Sequence, residues 1–172
     1  MNTKKVWLVT GCSKGLGHSL VKKLLEKGYQ VAATSRNNQS LIKQFGEKSD
    51  LFLPVSMNVA DESNVKSVVD EVFKKFGRID VLVNNAGYTH LATIEEIDMK
   101  DARAMFDVNV FGLLNVTRAV LPIMRKQHRG HIFNVSSLGA YNVGPLSGLY
   151  CATKHAVKAI SETLAREVSE FG

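Results

Sequence analysis

Residues 4–28 read KKVWLVTGCSKGLGHSLVKKLLEKG, and this stretch decides the fold. The apolar run VWLV is typical of a buried strand, and the run ends at Gly11. Leucines then recur at helical spacing between residues 16 and 25, until Gly28 ends the helix. The stretch therefore predicts a strand, a glycine-rich turn and a helix, in that order.

The rest of the chain continues this alternation. We predict four further strands, in YQVAATS, LFLPVSM, IDVLVNNAG and GHIFNVSS, and helices at residues 39–46, in DESNVKSVVDEVFKKFG, at residues 99–128 with a bend near Gly112, and from residue 149 to the end of the chain. Strands that are apolar along nearly their whole length favour a parallel sheet covered on both faces. The sequence predicts one α/β domain, residues 1–172.

Composition and charge exclude several classes of protein. A hydrophobic content of 45% with 22% charged residues is ordinary for a soluble globular domain. The apolar runs are too short to span a bilayer, and MNTKK leads directly into a strand, so we expect a cytoplasmic protein without a membrane partner. The net charge of +6 admits nucleic acid, but the lysines come as isolated pairs on exposed segments, so we predict no nucleic-acid partner.

Cysteine and histidine spacing gives no sign of a metal site. Cys12 and Cys151 have no spacing partner, so we interpret both as free thiols. The five histidines are scattered without a ligand pattern, and we predict no metal site.

The turn TGCSKGLGHS points to a nucleotide. Glycines at positions 11, 15 and 17 would let the backbone approach a pyrophosphate, and the following helix would offer unpaired N–H groups. A plain tight turn would need only one glycine, so this alternative explains the stretch less well.

The end of the second strand bears on the choice of cofactor. Where an acid would select NAD, this strand ends in Ser35 and Arg36, and Lys14 adds a second cation nearby. Two cations and a hydroxyl suit a phosphate dianion, so NADP(H) is favoured over NAD(H). The alternative is that Arg36 is only a surface arginine.

Five motifs in register carry a resemblance to a known family. TGCSKGLG, NNAG at 84–87, the asparagine of FDVNVFG, NVSS at 134–137 and YCATK at 150–154 resemble the motifs of the short-chain dehydrogenase/reductase family. The resemblance implies a Rossmann-like, doubly wound parallel sheet of strand order 3-2-1-4-5, without the family's last two strands. It also implies a cofactor site at Gly11, Ser13, Lys14, Gly15, Leu16, Gly17, Ser35, Arg36, Asn58, Val59, Asn85, Ala86, Gly87, Tyr150 and Lys154.

The same resemblance implies catalytic roles for four residues. Tyr150 would be the general acid or base for a carbonyl/alcohol pair, and the ammonium of Lys154, four positions on, would stabilise its phenolate and bind the nicotinamide ribose. Ser137 would polarise the substrate oxygen. Asn109 would anchor a water that connects Lys154 to solvent.

Two departures from the family pattern stand out. After the third strand the chain has MNVAD, with Asn58 where an acid is frequent and Asp61 later. The chain also stops where the Tyr/Lys helix would be ending, so we expect an exposed edge at the fifth strand and a missing substrate lid. The implied function is an NADP(H)-dependent oxidoreductase, a homodimer or homotetramer acting on a small carbonyl or alcohol. The alternative is a truncated nucleotide-binding or regulatory module without turnover.

Overall fold

A computed structural model describes residues 4–172, and its five strands form one parallel sheet in the order β3-β2-β1-β4-β5. This order confirms the prediction. The strands are β1 (Val6–Val9), β2 (Gln30–Ser35), β3 (Phe52–Ser56), β4 (Val81–Asn84) and β5 (His131–Asn134). The helices are α1 (Gly15–Glu26), α2 (Gln39–Phe45), α3 (Glu62–Phe76), α4 (Met99–Phe106), α5 (Leu113–Gln127) and α6 (Gly148–Glu167).

Alternation along each strand divides the core between the two faces of the sheet. Leu8 of β1 packs in a cluster with the valines of α3 and α5. Its neighbour Val9 packs in a second cluster with Val21 of α1 and Leu41 of α2. Because successive side chains of a strand point to opposite faces, an unbroken apolar run supplies both layers.

The long helix predicted at residues 99–128 runs from Met99 to Gln127, and its distortion is a π-helical segment, Asp107–Gly112. A Cβ at Gly112 would lie 2.6 Å from Cγ2 of Val59, so only glycine allows this close contact with the loop after β3. By length and composition alone the helix would be able to cross a membrane, with a mean hydropathy of 1.3. In this fold its residues Val116 and Val120 are fully buried in the core against α3.

The prediction that the last helix continues to the end of the chain is wrong. Helix α6 ends at Glu167, and a 3₁₀ turn, Ser169–Phe171, follows. This turn places the Phe171 ring under the guanidinium of Arg125 in α5, 4.9 Å from the ring centroid. A cation held over an aromatic face stabilises the turned chain, which a continued helix would not bring there.

Strand β5 forms one edge of the sheet, as the sequence predicts. The Phe133 side chain on this strand is 51% exposed, although it stacks on Trp7 of β1. A groove of about 520 Å³ runs beside the strand between α5, α6 and the turn after α6. Both faces of the inner strands are covered, as predicted, whereas β5 is partly open to solvent.

Candidate active site

The glycine turn and the turn after β4 are locked together at the carboxyl ends of the central strands. Asn85 Nδ2 donates hydrogen bonds to the carbonyls of Thr10 and Gly11, each at 2.9 Å. The Thr10 hydroxyl in turn accepts from the backbone N–H groups of Asn85 and Ala86. Four hydrogen bonds between two turns make one rigid surface at this end of the sheet.

Two of the three glycines in the first turn are required by close contacts. A Cβ at Gly11, where φ is +70°, would lie 2.8 Å from Cα of Ala86. A Cβ at Gly17 would lie 2.5 Å from Nδ2 of Asn85 and 2.7 Å from the Gly11 carbonyl oxygen. Gly15 has a φ of +64°, and a Cβ on it would have no neighbour within 4 Å. A ligand in solvent can therefore come close to the backbone at this residue.

A cavity of about 610 Å³ opens between these turns and the ends of β2 and β3. It brings together twelve of the fifteen residues that the sequence analysis assigned to a cofactor; the three that do not line it are Gly17, which sits behind the turn, and Tyr150 and Lys154, which lie on α6. Four lining residues were missed by the sequence analysis, namely Thr34, Met57, Tyr88 and Val108. The first three are neighbours of assigned residues at strand ends, so their positions alone were a usable signal.

The cavity lining includes the two cations that the sequence analysis singled out. Lys14 and Arg36 are both exposed, and within residues 4–172 neither forms an ion pair. The Ser35 hydroxyl behaves differently, because it donates to the carbonyl of Asn37 at 2.6 Å. Because the Ser35 proton is used in this internal hydrogen bond, the hydroxyl oxygen can only accept a hydrogen bond from a ligand.

The loop after β3 contains Asn58, at the position where the family frequently has an acid, and Asp61 three residues later. Asn58 Oδ1 accepts from the backbone N–H of Ala60 at 3.2 Å, which leaves its Nδ2 as a donor. Asp61 caps helix α3 and accepts from the N–H of Asn64 at 3.0 Å. That hydrogen bond, with one from Ser63, lowers the pKa of the Asp61 carboxyl. The acid of this loop is thus engaged in capping.

Tyr150 and Lys154 lie on one face of α6, one turn apart. Lys154 Nζ is 5.8 Å from the centroid of the Tyr150 ring and donates to the carbonyl of Val135 at 2.9 Å. The Lys154 side chain is buried, and this burial lowers the pKa of its ammonium. The bond to Val135, the residue that follows β5, fixes a flexible side chain beside the tyrosine.

Ser137 and Tyr150 come close to each other beside Gly139. Ser137 caps a short 3₁₀ turn, Leu138–Ala140, and its Oγ accepts from the N–H of Gly139 at 3.2 Å. A Cβ at Gly139 would lie 3.5 Å from Cε1 of Tyr150 and 3.6 Å from Oγ of Ser137. Both side chains therefore border one point in space, and Gly139 is a site residue that sequence analysis missed.

Asn109 is held in the π-helical segment by three hydrogen bonds. Its Oδ1 accepts from the N–H of Tyr88 at 3.0 Å, and its Nδ2 donates to the Tyr88 carbonyl at 2.8 Å and to the Thr153 hydroxyl at 3.2 Å. A Cβ at Gly87 would lie 3.1 Å from Asn109 Oδ1 and 3.9 Å from Lys154 Nζ. The missing Cβ leaves a small polar space between the asparagine and the lysine.

The two cysteines are free and buried beside this site. Burial raises the pKa of the Cys12 thiol to about 12. Cys151 Sγ lies 3.5 Å from the Ser147 hydroxyl and 3.7 Å from the Asn142 carbonyl. Cys12 Sγ likewise donates to the Val9 carbonyl at 3.1 Å, so both thiols act as buried weak donors.

Comparison with known proteins gives the family. A family model described as short chain dehydrogenase matches residues 5–172. The chain is 42% identical over 171 residues to oxidoreductase BOA17 of Botryotinia fuckeliana; the match covers 98% of this chain and 62% of that protein. The chain thus spans less than two thirds of the length of this relative.

Solved structures agree with this assignment. A short-chain dehydrogenase from Streptomyces avermitilis superposes with a TM-score of 0.93 at 36% identity, over 100% of this chain and 63% of that one. A 3-ketoacyl-(acyl-carrier-protein) reductase from Brucella melitensis complexed with NADH gives a TM-score of 0.92 at 31% identity, over 97% of this chain and 71% of that one. With the sheet order, the turn geometry and a family match over nearly every residue, the chain belongs to the short-chain dehydrogenase family.

Proposed function

We propose that the protein is an NADP(H)-dependent oxidoreductase that interconverts a carbonyl and an alcohol, with Tyr150 as the general acid and base. The observation that carries this proposal is the proximity of Ser137 Oγ and the Tyr150 ring, because a Cβ on Gly139 would lie 3.6 Å from the first and 3.5 Å from Cε1 of the second. A carbonyl oxygen bound between these two side chains would face the Ser137 hydroxyl from the loop after β5 and a phenol from α6. A cation one helical turn from the phenol completes the arrangement.

The cavity at the ends of β1, β2 and β4 fits a dinucleotide. Its backbone at Gly15 is open to solvent, and helix α1 begins there with unpaired N–H groups that favour a pyrophosphate. A bound reduced nicotinamide would supply the hydride that reaches the carbonyl carbon. Asn58, with a free amide donor, is positioned for the base.

The preference for NADP(H) rests on Lys14 and Arg36. Both are exposed and line the cavity, and neither forms an ion pair with a carboxylate within residues 4–172. A 2′-phosphate would form charge-assisted hydrogen bonds with them. The NADH held by the Brucella melitensis neighbour concerns that protein, whereas the preference proposed here follows from this chain's own cations.

Tyr150 would move the proton. In the reducing direction its hydroxyl donates a proton to the carbonyl oxygen, and the resulting phenolate is stabilised by the Lys154 ammonium. Ser137 Oγ already accepts from the N–H of Gly139, which leaves its own proton free to hold the substrate oxygen. The serine therefore orients and polarises the substrate without changing its charge.

Lys154 and Asn109 would return the proton from solvent. Asn109 Oδ1 and Lys154 Nζ both lie close to Gly87, at 3.1 Å and 3.9 Å from the position of a Cβ on this residue, so one water bound beside Gly87 would be within reach of both groups. Asn109 belongs to the π-helical segment, and such segments are frequent at functional sites, which supports this role. Thr153, which accepts from Asn109 Nδ2, keeps the amide in this orientation.

The assembly and location of the whole protein belong to the same proposal. Its long helices, Met99–Gln127 and Gly148–Glu167, would pair in a homodimer or homotetramer in the cytoplasm. The second candidate is a nucleotide-binding module without turnover. It is favoured by the exposed β5 edge, because an unsupported edge would let the ends of β5 and α6 move relative to each other.

The test compares the purified chain with its Tyr150→Phe variant. We expect NADPH oxidation with a panel of aldehydes and ketones in the parent chain, and a loss of more than a hundredfold in kcat in the variant, since general acid catalysis supplies roughly 10²–10⁴ in rate. NADPH affinity, followed by fluorescence titration, should stay unchanged.

Tyr29→Phe is the matched control, because Tyr29 packs on Trp7 outside the site. Full activity of Tyr150→Phe would refute the catalytic assignment. Binding of NADPH by the parent without any turnover would support the nucleotide-binding module instead.

A further inference from the structure

Large apolar side chains are exposed on two loops that flank the proposed active site. Leu138, Val143 and Leu146 belong to the loop between β5 and α6, and Leu91 belongs to the segment after β4. Their exposed fractions lie between 51% and 76%, and on the same two segments Tyr141 and Ile94 are 71% and 79% exposed. We call Leu91, Leu138, Val143 and Leu146 the apolar rim. A soluble protein keeps such a group exposed at a cost in solubility, so a ligand that covers it is expected.

The rim is continuous with Ser137 and Tyr150. Leu138 follows Ser137 directly, and the next residue, Gly139, is the point that both proposed catalytic side chains border. Leu146 stands two residues before α6, which carries Tyr150 in its first turn. A substrate whose oxygen lies between Ser137 and Tyr150 therefore has its nearest carbon atoms beside the rim.

The two loops of the rim are tied to each other. The backbone N–H of Ala92 donates to the carbonyl of Leu146 at 2.9 Å. Leu146 has a φ of +65°, which is uncommon for a residue other than glycine. Backbone strain of this kind persists where surrounding contacts fix it, and it clusters at ligand sites.

The loop between β5 and α6 carries no charge of its own, since from Ile132 to Thr153 the chain contains no Asp, Glu, Lys, Arg or His. The segment after β4 carries the acids Glu95, Glu96 and Asp98. Its His90 lies near Asp101, with 3.9 Å between Nδ1 and Oδ2, and Lys158 of α6 lies over the Tyr141 ring, 4.5 Å from the centroid. A carboxylate or phosphate on the substrate would find no lysine or arginine on these two loops, and burying it unpaired is costly.

We infer that the substrate is an uncharged carbonyl compound with an extended apolar body, which lies on the apolar rim while its oxygen sits between Ser137 and Tyr150. This inference rests on the proposed function and adds the substrate class to it. Hydroxyl-rich or anionic carbonyl compounds are disfavoured, because the rim offers neither a charge nor a set of polar partners. A second copy of the chain on the rim is the competing occupant.

Binding is tested first, without turnover, so that the result does not depend on catalysis. Saturation-transfer NMR with the purified chain and NADP⁺ would compare 2-butanone, 2-hexanone and 2-decanone with 2-oxodecanoate. We expect each added methylene to strengthen ketone binding by about two- to fourfold, as burial of a CH₂ predicts. The charged keto acid should bind more weakly than the ketone of equal length.

Two variants test the role of the rim. Leu138→Ser should flatten the dependence of affinity on chain length, whereas Leu51→Ser, at an exposed leucine before β3, should leave it unchanged. Leu146→Asn should fold normally, since asparagine tolerates a positive φ, so a loss of binding in this variant cannot be attributed to unfolding. It should match or exceed the parent chain in thermal stability and still weaken 2-decanone binding.

The possible outcomes separate the two proposals. Equal affinity for all ketones, or tighter binding of the keto acid, would overturn the substrate class whether or not the chain shows turnover. Loss of self-association in Leu138→Ser, with no ketone binding in the parent chain, would assign the rim to a second copy. Graded ketone binding without reduction would uphold the substrate class and count against the proposed catalysis.

Discussion

Asn85 Nδ2 lies 2.9 Å from the carbonyl oxygen of Gly11 and donates a hydrogen bond to it, which joins two turns that are 74 residues apart in sequence. The same amide donates to Thr10 at 2.9 Å. One side chain therefore holds the glycine turn in the shape that opens the cavity at the strand ends. The cavity's geometry depends on a residue that also lines it.

Asn85→Ala should lower the free energy of unfolding by about 1–3 kcal/mol, because two buried carbonyls lose their donor. NADPH affinity should fall with it. Gly17→Ala should have a similar effect, since its Cβ would lie 2.5 Å from the Asn85 amide. Urea unfolding and fluorescence titration measure the two effects.

Gly144→Ala is the control for Gly17→Ala, because its Cβ would meet nothing closer than 3.9 Å. An Asn85→Ala chain with unchanged stability and NADPH affinity would show that the turn keeps its shape without the amide.

Arg36→Ala should weaken NADPH binding by roughly 10- to 100-fold, the equivalent of one charge-assisted hydrogen bond, and leave NADH binding nearly unchanged. Lys66→Ala, on the exposed face of α3, is the control for a general loss of positive charge. Parallel titrations with both cofactors decide the matter. Equal losses for NADPH and NADH would mean that Arg36 does not contact a 2′-phosphate.

Thr153→Val should reduce kcat by about 2- to 12-fold, which corresponds to losing the neutral hydrogen bond that positions Asn109 in the proton path. The Thr153 hydroxyl donates to the Tyr150 carbonyl at 2.7 Å and accepts from Asn109 at 3.2 Å, so it connects α6 to the π-helical segment. Valine has the same shape without the hydroxyl, which separates hydrogen bonding from packing.

Thr153→Ser restores the hydroxyl and should restore kcat together with the parent pH profile. A merely structural threonine would instead give lowered thermal stability in both variants and an unshifted pH profile of kcat/KM.

Stability should depend on pH through Lys154. Burial lowers the pKa of this lysine in the folded state, so between the lowered pKa and the ordinary value near ~10.4 the unfolded chain binds more protons than the folded one. The free energy of unfolding of the parent should therefore rise with pH through this window. The free energy of unfolding of Lys154→Met relative to that of the parent should therefore be highest at the low-pH end of this window.

Urea denaturation of the parent and Lys154→Met at several pH values between neutrality and the ordinary lysine pKa measures this difference. Lys158→Met is the control, since Lys158 is partly exposed and pairs with Glu162. A parent-minus-variant difference that stays constant with pH would contradict the burial cost.

Phe133→Ser should reduce self-association of the 172-residue chain. Phe133 lies on the edge strand β5 and is 51% exposed, and an exposed apolar edge is a template for pairing with another chain. Sedimentation velocity over a range of concentrations measures the effect. Phe73→Ser, at a 41% exposed phenylalanine on α3, should leave association unchanged; equal effects of both substitutions would mean nonspecific hydrophobic contact.

The sequence by itself determined the alternation of strands and helices, the glycine turn and the spacing of Tyr150 and Lys154, whereas the strand order was implied by the family resemblance. The first three features are local or periodic: apolar runs define strands, glycine marks the turn, and a spacing of four places two side chains on one helix face. Only the tertiary structure decided how distant segments meet. It showed that Ser137 and Tyr150 come together beside Gly139, that the Ser35 hydroxyl donates to the Asn37 carbonyl, and that the last helix ends at Glu167. Such contacts depend on distances of a few ångströms between residues far apart in the chain, and periodicity carries no information about them.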